Sequence, residues 1–140
     1  MSNSSAYLAL ERLEVADEGT VTEDETIGWI AIETGTGTFL APSGSTVQFS
    51  SLYTDKVFQG WDNSAKSVSL GLAGGFPTDS PLVIASQNSR HGNNGGWLRL
   101  KSRSKTSASL VVDEDNKVDS ERAHVQERAG IFAASAAFQM

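Results

Sequence analysis

The feature that most constrains this chain is a segment that occurs twice. Thr26-Ile27-Gly28-Trp29-Ile30-Ala31-Ile32 follows Glu25, and Arg128-Ala129-Gly130-Ile131-Phe132-Ala133-Ala134 follows Glu127. Laying residues 8–33 over 110–135 without gaps gives five identities in twenty-six positions. They are Leu8 with Leu110, Asp17 with Asp119, Glu25 with Glu127, Gly28 with Gly130 and Ala31 with Ala133. Both copies run in the same order: apolar strand, acidic turn, glutamate, glycine, apolar strand. That is the layout of a repeated β-hairpin, and a period of this kind constrains architecture before any single residue does.

The rest of the chain reads as all-β. Ile27 to Ile32, Phe39 to Ala41, Leu82 to Ala85, Trp97 to Leu100, Ser109 to Val112 and Gly130 to Ala134 are short apolar runs of strand length. Val47, Phe49 and Leu52 mark a further β segment, and Val57-Phe58 a short one. Val68, Leu70 and Leu72 alternate with Ser69 and Gly71, the pattern of a strand with one wet face. Pro42-Ser-Gly44, Gln59-Gly-Trp-Asp-Asn63 and Gly74-Gly-Phe-Pro-Thr-Asp-Ser-Pro81 interrupt the runs. A helix competes only over Val118 to Ala129, and Ala136-Ala-Phe138 has room for an edge strand. Strands at about 10-residue spacing fit a sandwich or a small barrel, and an antiparallel β-sandwich with a repeated closing hairpin is expected. Two parts are expected: a partial repeat over 1–40, packed on or exchanged with the sandwich, and the sandwich itself over 41–140.

Several classes of function are disfavoured by composition. The chain has no cysteine, so thiolate metal sites and disulfide frameworks are impossible. A net charge of −6 opposes binding to phosphate backbones. The cluster Arg99-Leu-Lys101-Ser-Arg103-Ser-Lys105 reads first as the solvated face of one strand and its turn. No apolar run approaches the roughly 20 residues needed to cross a bilayer as a helix. Met1-Ser-Asn-Ser-Ser lacks the basic start and apolar stretch of a signal peptide. No nucleic acid partner and no membrane insertion are expected. Neither a Gly-x-Ser-x-Gly elbow nor a glycine-rich phosphate loop is present, so no catalytic residues are assigned and the chain is expected not to be an enzyme.

Three constellations remain. The loop Asn88-Ser-Arg-His-Gly-Asn-Asn-Gly-Gly96 lies between two apolar strands, followed by Trp97. Its planar polar side chains beside an aromatic fit a ligand that presents hydroxyl groups, and the plainer alternative is a flexible hairpin loop. Asn88, Arg90, His91, Asn93, Asn94 and Trp97 are therefore the expected ligand-binding residues. The carboxylates of Asp113, Asp115 and Asp119 are dense enough to hold calcium, a cation that takes six to eight oxygens. They serve equally as a solvated acidic turn that discourages edge-to-edge pairing. His124 and Glu127, three residues apart, would lie on opposite faces of a strand, and only a looped or helical path joins them. That pair is expected to be a surface hydrogen bond.

The order of these parts is similar to a family. Gly75-Phe76-Pro77-Thr-Asp-Ser-Pro81-Leu-Val83-Ile-Ala-Ser86 resembles the entry to a core strand of H-type lectin-like β-sandwiches. Leu98-Arg99-Leu100 resembles the family's arginine-bearing strand, and Ser109-Leu-Val-Val112 the strand after it. Glu127-Arg-Ala-Gly130-Ile-Phe-Ala133 resembles the closing strand, and Gly28-Trp29-Ile30-Ala31 matches its glycine-aromatic pattern better. The layout is also similar to tandem repeats in large secreted proteins of marine bacteria and archaea. The resemblance spans residues 68–135, with 8–33 as a second closing hairpin.

It implies a six-strand antiparallel sandwich, trimeric or higher association, and binding of galactose or N-acetylgalactosamine in the true lectins. The sugar-holding loops do not align, so no family contact residue carries over. The expected function is a non-catalytic carbohydrate-binding or adhesion module at an extracellular or particle surface, with a glycan as partner and no cofactor other than calcium. The alternative is a structural, self-assembling subunit of an extracellular filament or virus-like particle. Self-association as a homo-oligomer or filament is expected through the terminal strands, where Ala6-Tyr7-Leu8 and Ala136-Ala137-Phe138 are apolar.

Overall fold

The computed structural model describes residues 26–92, 95–114 and 120–138. Among the described residues seven strands are formed: β1 (Gly35–Leu40), β2 (Thr46–Tyr53), β3 (Lys66–Ser69), β4 (Leu82–Gln87), β5 (Gly96–Arg103), β6 (Ser107–Glu114) and β7 (Ala129–Ala134). They make a four-stranded sheet in the order β1-β2-β7-β4 and a three-stranded sheet in the order β3-β6-β5. Every strand pairing is antiparallel. The fold is thus the all-β antiparallel sandwich expected, with seven strands among the described residues where the resemblance implied six.

Alternation explains which residues face inward. In β4, Val83 and Ala85 join the core while Leu82, Ile84 and Ser86 are exposed. In β6, Ala108, Leu110 and Val112 point to the core, and across β5 Leu98 packs against it. From β7 come Ala129, Ile131 and Ala133, and from the connections Phe58, Leu70 and Phe76. The buried Ser50 hydroxyl is satisfied by donating to the Leu70 carbonyl. β7 is apolar on its other face too. There Phe132 stacks with Phe49 at 6.0 Å and meets Phe138 edge-on at 6.2 Å, while Phe39 meets Phe138 at 4.7 Å.

Several expectations change at this level. The second copy of the repeated segment is β6 and β7 with their connection, but these strands lie in opposite sheets and make no hairpin. β6 and β7 instead face one core from opposite sheets. In the first copy, residues 8–25 lie outside the described residues. Residues 26–33 are exposed and join no ladder among the described residues. β1 pairs with β2 along its whole length, so residues 35–40 belong to the same sheet as the sandwich. No helix forms over 120–128; residues 118–119 lie outside the described part. Val57-Phe58 contributes a single bridge, Phe58 to Glu127, instead of a strand. Ala136 to Phe138 forms no strand, and Phe138 turns back onto its own chain.

Candidate functional site

One end of the sandwich is closed by three segments that sequence order keeps far apart: 54–63, 88–92 and 120–128. Their backbones are laced together. Glu127 N–H donates to the Phe58 carbonyl at 2.8 Å, and the Val57 and Phe58 amides donate back to the Glu127 carbonyl at 3.1 and 3.2 Å. Gly60 N–H donates to the His124 carbonyl at 3.3 Å, and the His124 amide to Asn63 Oδ1 at 3.2 Å. Val112 N–H reaches the Gln59 carbonyl at 2.8 Å, tying the same segment to the three-stranded sheet.

The centre of this lacing is the Glu127 carboxylate, which is fully buried. Its Oε1 accepts from the amides of His91 at 2.6 Å and Gly92 at 3.0 Å. Its Oε2 accepts from the Ser89 hydroxyl, whose oxygen in turn accepts the Arg128 amide at 2.7 Å. The Asn88 amide donates to the Arg128 carbonyl at 2.9 Å. The first half of the loop is therefore pinned to the core by one carboxylate. Burial pushes the proton affinity of Glu127 up. The Ser89 hydroxyl, the two amides and His124 together outweigh it and hold the carboxyl below its ordinary value of 4.5.

His124 completes the cluster. It is buried, with Nε2 at 3.2 Å from Glu127 Oε1 and Nδ1 against Glu114 Oε1. Each ring nitrogen therefore faces a carboxylate oxygen, one from β6 and one from the segment before β7. The expected surface pair of His124 and Glu127 is thus corrected to a buried one. Residues 121–126 follow an irregular path, so positions three apart turn to the same side. Gly92 lies flat on this ring, and a Cβ there would sit 2.5 Å from His124 Cε1.

The predicted residues fall as follows. The Arg90 and His91 side chains are exposed on the pinned loop, with Asn88 exposed beside them, its amide group over Gly130. Asn93 and Asn94 lie outside the described residues. Trp97 pairs across β5 and β6 with Asp113, so it shares the outer face of the three-stranded sheet with Asp113 and Arg99. It is half-buried there. Asp113 is held by Arg99 at 3.3 Å and by Arg122. Asp115 and Asp119 lie outside the described residues, and among the described residues no cluster of metal-ligating side chains is formed. Trp61 carries cations on its ring, with Lys101 Nζ at 3.4 Å and the Arg122 guanidinium at 4.4 Å from its centroid.

Ser89, Glu114 and Glu127 were not expected to act on the loop. The signal for Glu127 was present in its repetition as Glu25, whereas Ser89 and Glu114 carry no local signature. Compared with protein-family models, with curated proteins and with solved structures, the chain matches none.

Proposed function

We propose that this protein is a non-catalytic carbohydrate-binding module of lectin-like type, with the 88–92 loop as its recognition surface. The observation that carries the reading is the Glu127 pin. A loop fixed through its own amides holds its side chains in place before a ligand arrives, which lowers the ordering cost of binding. Asn88 offers an amide group, Arg90 a planar set of donors and His91 a ring that both donates and accepts. Such a set matches adjacent hydroxyl groups of a sugar by hydrogen bonding. Trp97 on the outer sheet face and Trp61 under its cations do not form an open stacking platform beside the loop, so recognition rests on polar contacts. The buried Glu114–His124–Glu127 cluster supports a structural use for the acidic and imidazole groups, since its members are sequestered from ligands.

The test is glycan binding by the double variant Arg90→Ala/His91→Ala, measured on a glycan array and then by calorimetry on the best binder. Binding is expected to fall at least tenfold, the loss of about 1.4 kcal/mol. The melting temperature should change little, because His91 serves the pin through its amide and surface substitutions usually cost within about 0.5 kcal/mol. Undiminished binding by the variant overturns the site, and a folded parent that binds no glycan overturns the reading.

A further inference from the structure

Residues 26–33 form an exposed apolar arm ahead of β1. This arm joins β1 through a bend at Thr34, and its large apolar side chains face solvent: Ile27 is 43% exposed, Trp29 63%, Ile30 78% and Ile32 44%. Along an extended chain Ile27, Trp29 and Ala31 point one way, and Ile30 and Ile32 the other. Both faces are apolar, which is the pattern of a strand covered on both sides.

The internal repeat says which strand it imitates. Sliding 8–33 over 110–135 lays Ile27–Ile32 on Ala129–Ala134, which is β7. β7 is the interior strand between β2 and β4, apolar on both faces. The arm thus carries the sequence of an interior strand but stands outside any ladder among the described residues.

Of the two strands that accept β7, β2 is already flanked by β1, whereas β4 ends the sheet. The outer face of β4 is also apolar: Leu82 is 43% and Ile84 69% exposed. We propose that the Thr26–Glu33 arm of one copy adds as a fifth strand along the open edge of β4 in a second copy. In the register that β7 uses, Ile30 lies opposite Ile84, Ile32 opposite Leu82 and Gly28 opposite Ser86. Directly opposed residues share a face, so the two exposed isoleucine and leucine pairs cover one another. Trp29 and Ala31 then face inward, toward the side where β5 places Leu98 and the exposed Leu100.

The same chain cannot make this contact. Its arm leaves from β1, and the new strand position lies four inter-strand spacings away, roughly 19 Å at about 4.8 Å each. The three steps from Ile32 to Gly35 reach only about 10 Å. Donor arm and acceptor edge are different surfaces, so the contact is head-to-tail and grows into a ring or an open chain.

Because the chain has no cysteine, the test is clean. Ile30→Cys and Ile84→Cys are made in separate chains, one carrying a mass tag, then mixed and oxidised. Opposed strand positions lie about 4.5–5.5 Å apart at Cα, within disulfide reach. The mixed product should exceed by several-fold that obtained with Ser67→Cys on β3 in place of Ile84→Cys. Independently, the parent's weight-average mass should rise with concentration, and Ile30→Asp should reduce it to the monomer with an unchanged melting temperature. The proposal is overturned by a mixed product no more abundant than the control, by dominant Ile30–Ile30 linkage, or by a parent that stays monomeric at all concentrations. These outcomes are independent of glycan binding, which is read from the loop variant.

Discussion

At the scale of single residues, the closed end of the sandwich depends on backbone approach. Gly60 illustrates it. A Cβ at this position would lie 2.2 Å from both the Arg122 carbonyl oxygen and the His124 amide nitrogen. Those are backbone atoms bonded into the lacing, so they cannot swing aside as a side chain does. Gly60→Ala is expected to cost about 1–3 kcal/mol or more, read by urea denaturation. An unchanged midpoint would show that the 54–63 and 120–128 segments are not in contact as described. Gly92 behaves alike against the His124 ring. In the sequence both glycines look like loop freedom. What fixes Gly60 and Gly92 is a partner more than thirty residues away, which local chemistry does not announce.

At the scale of elements, strands were legible and their partners were not. Leu82 to Ala85 and Ser109 to Val112 are apolar runs bounded by turn residues, and each became the body of a strand. The neighbouring arrangement was misread at β6 and β7, because a hairpin and a crossover begin with the same apolar-acidic-apolar pattern. The deciding quantity is which face of each strand must reach the core, and that is a property of the assembled sheets. The loop site shows the same limit: its polar composition was visible, but the carboxylate that pins it was not. β7 gives the corresponding prediction. Ile131 is buried between Leu52 of β2 and Ala85 of β4, the residues opposite it in the two ladders. Ile131→Ala should destabilise by about 2–5 kcal/mol. A loss under 1 kcal/mol in chemical denaturation would place Ile131 outside the main core.

At the scale of the whole molecule, the buried Glu127 couples stability to pH. Its folded-state carboxyl is held below the ordinary value of 4.5, so the ionised form favours folding. That contribution is fully present above about 4.5 and is lost as pH falls through the lower folded value. The denaturation midpoint is expected to drop across this acidic window. Glu127→Gln keeps a carbonyl for the His91 and Gly92 amides but has no charge to lose. It should be less stable near neutrality and show a shallower acid decline, and equal acid slopes for parent and variant would contradict the pin.

The position of β7 has a kinetic consequence. It is the strand that joins β2 to β4, yet in chain order it follows both by more than forty residues. During synthesis, which proceeds from the N-terminal side, the β1–β2 pair and β4 leave the ribosome with no strand between them. Their inward apolar faces stay uncovered until residues 129–134 emerge. With growth at roughly 5–20 residues per second, the nascent chain holds that surface for several seconds. Non-local closure of this kind folds slowly as well. The period before β7 arrives is thus when a nascent chain is most open to chaperones and to aggregation with its neighbours on the same message.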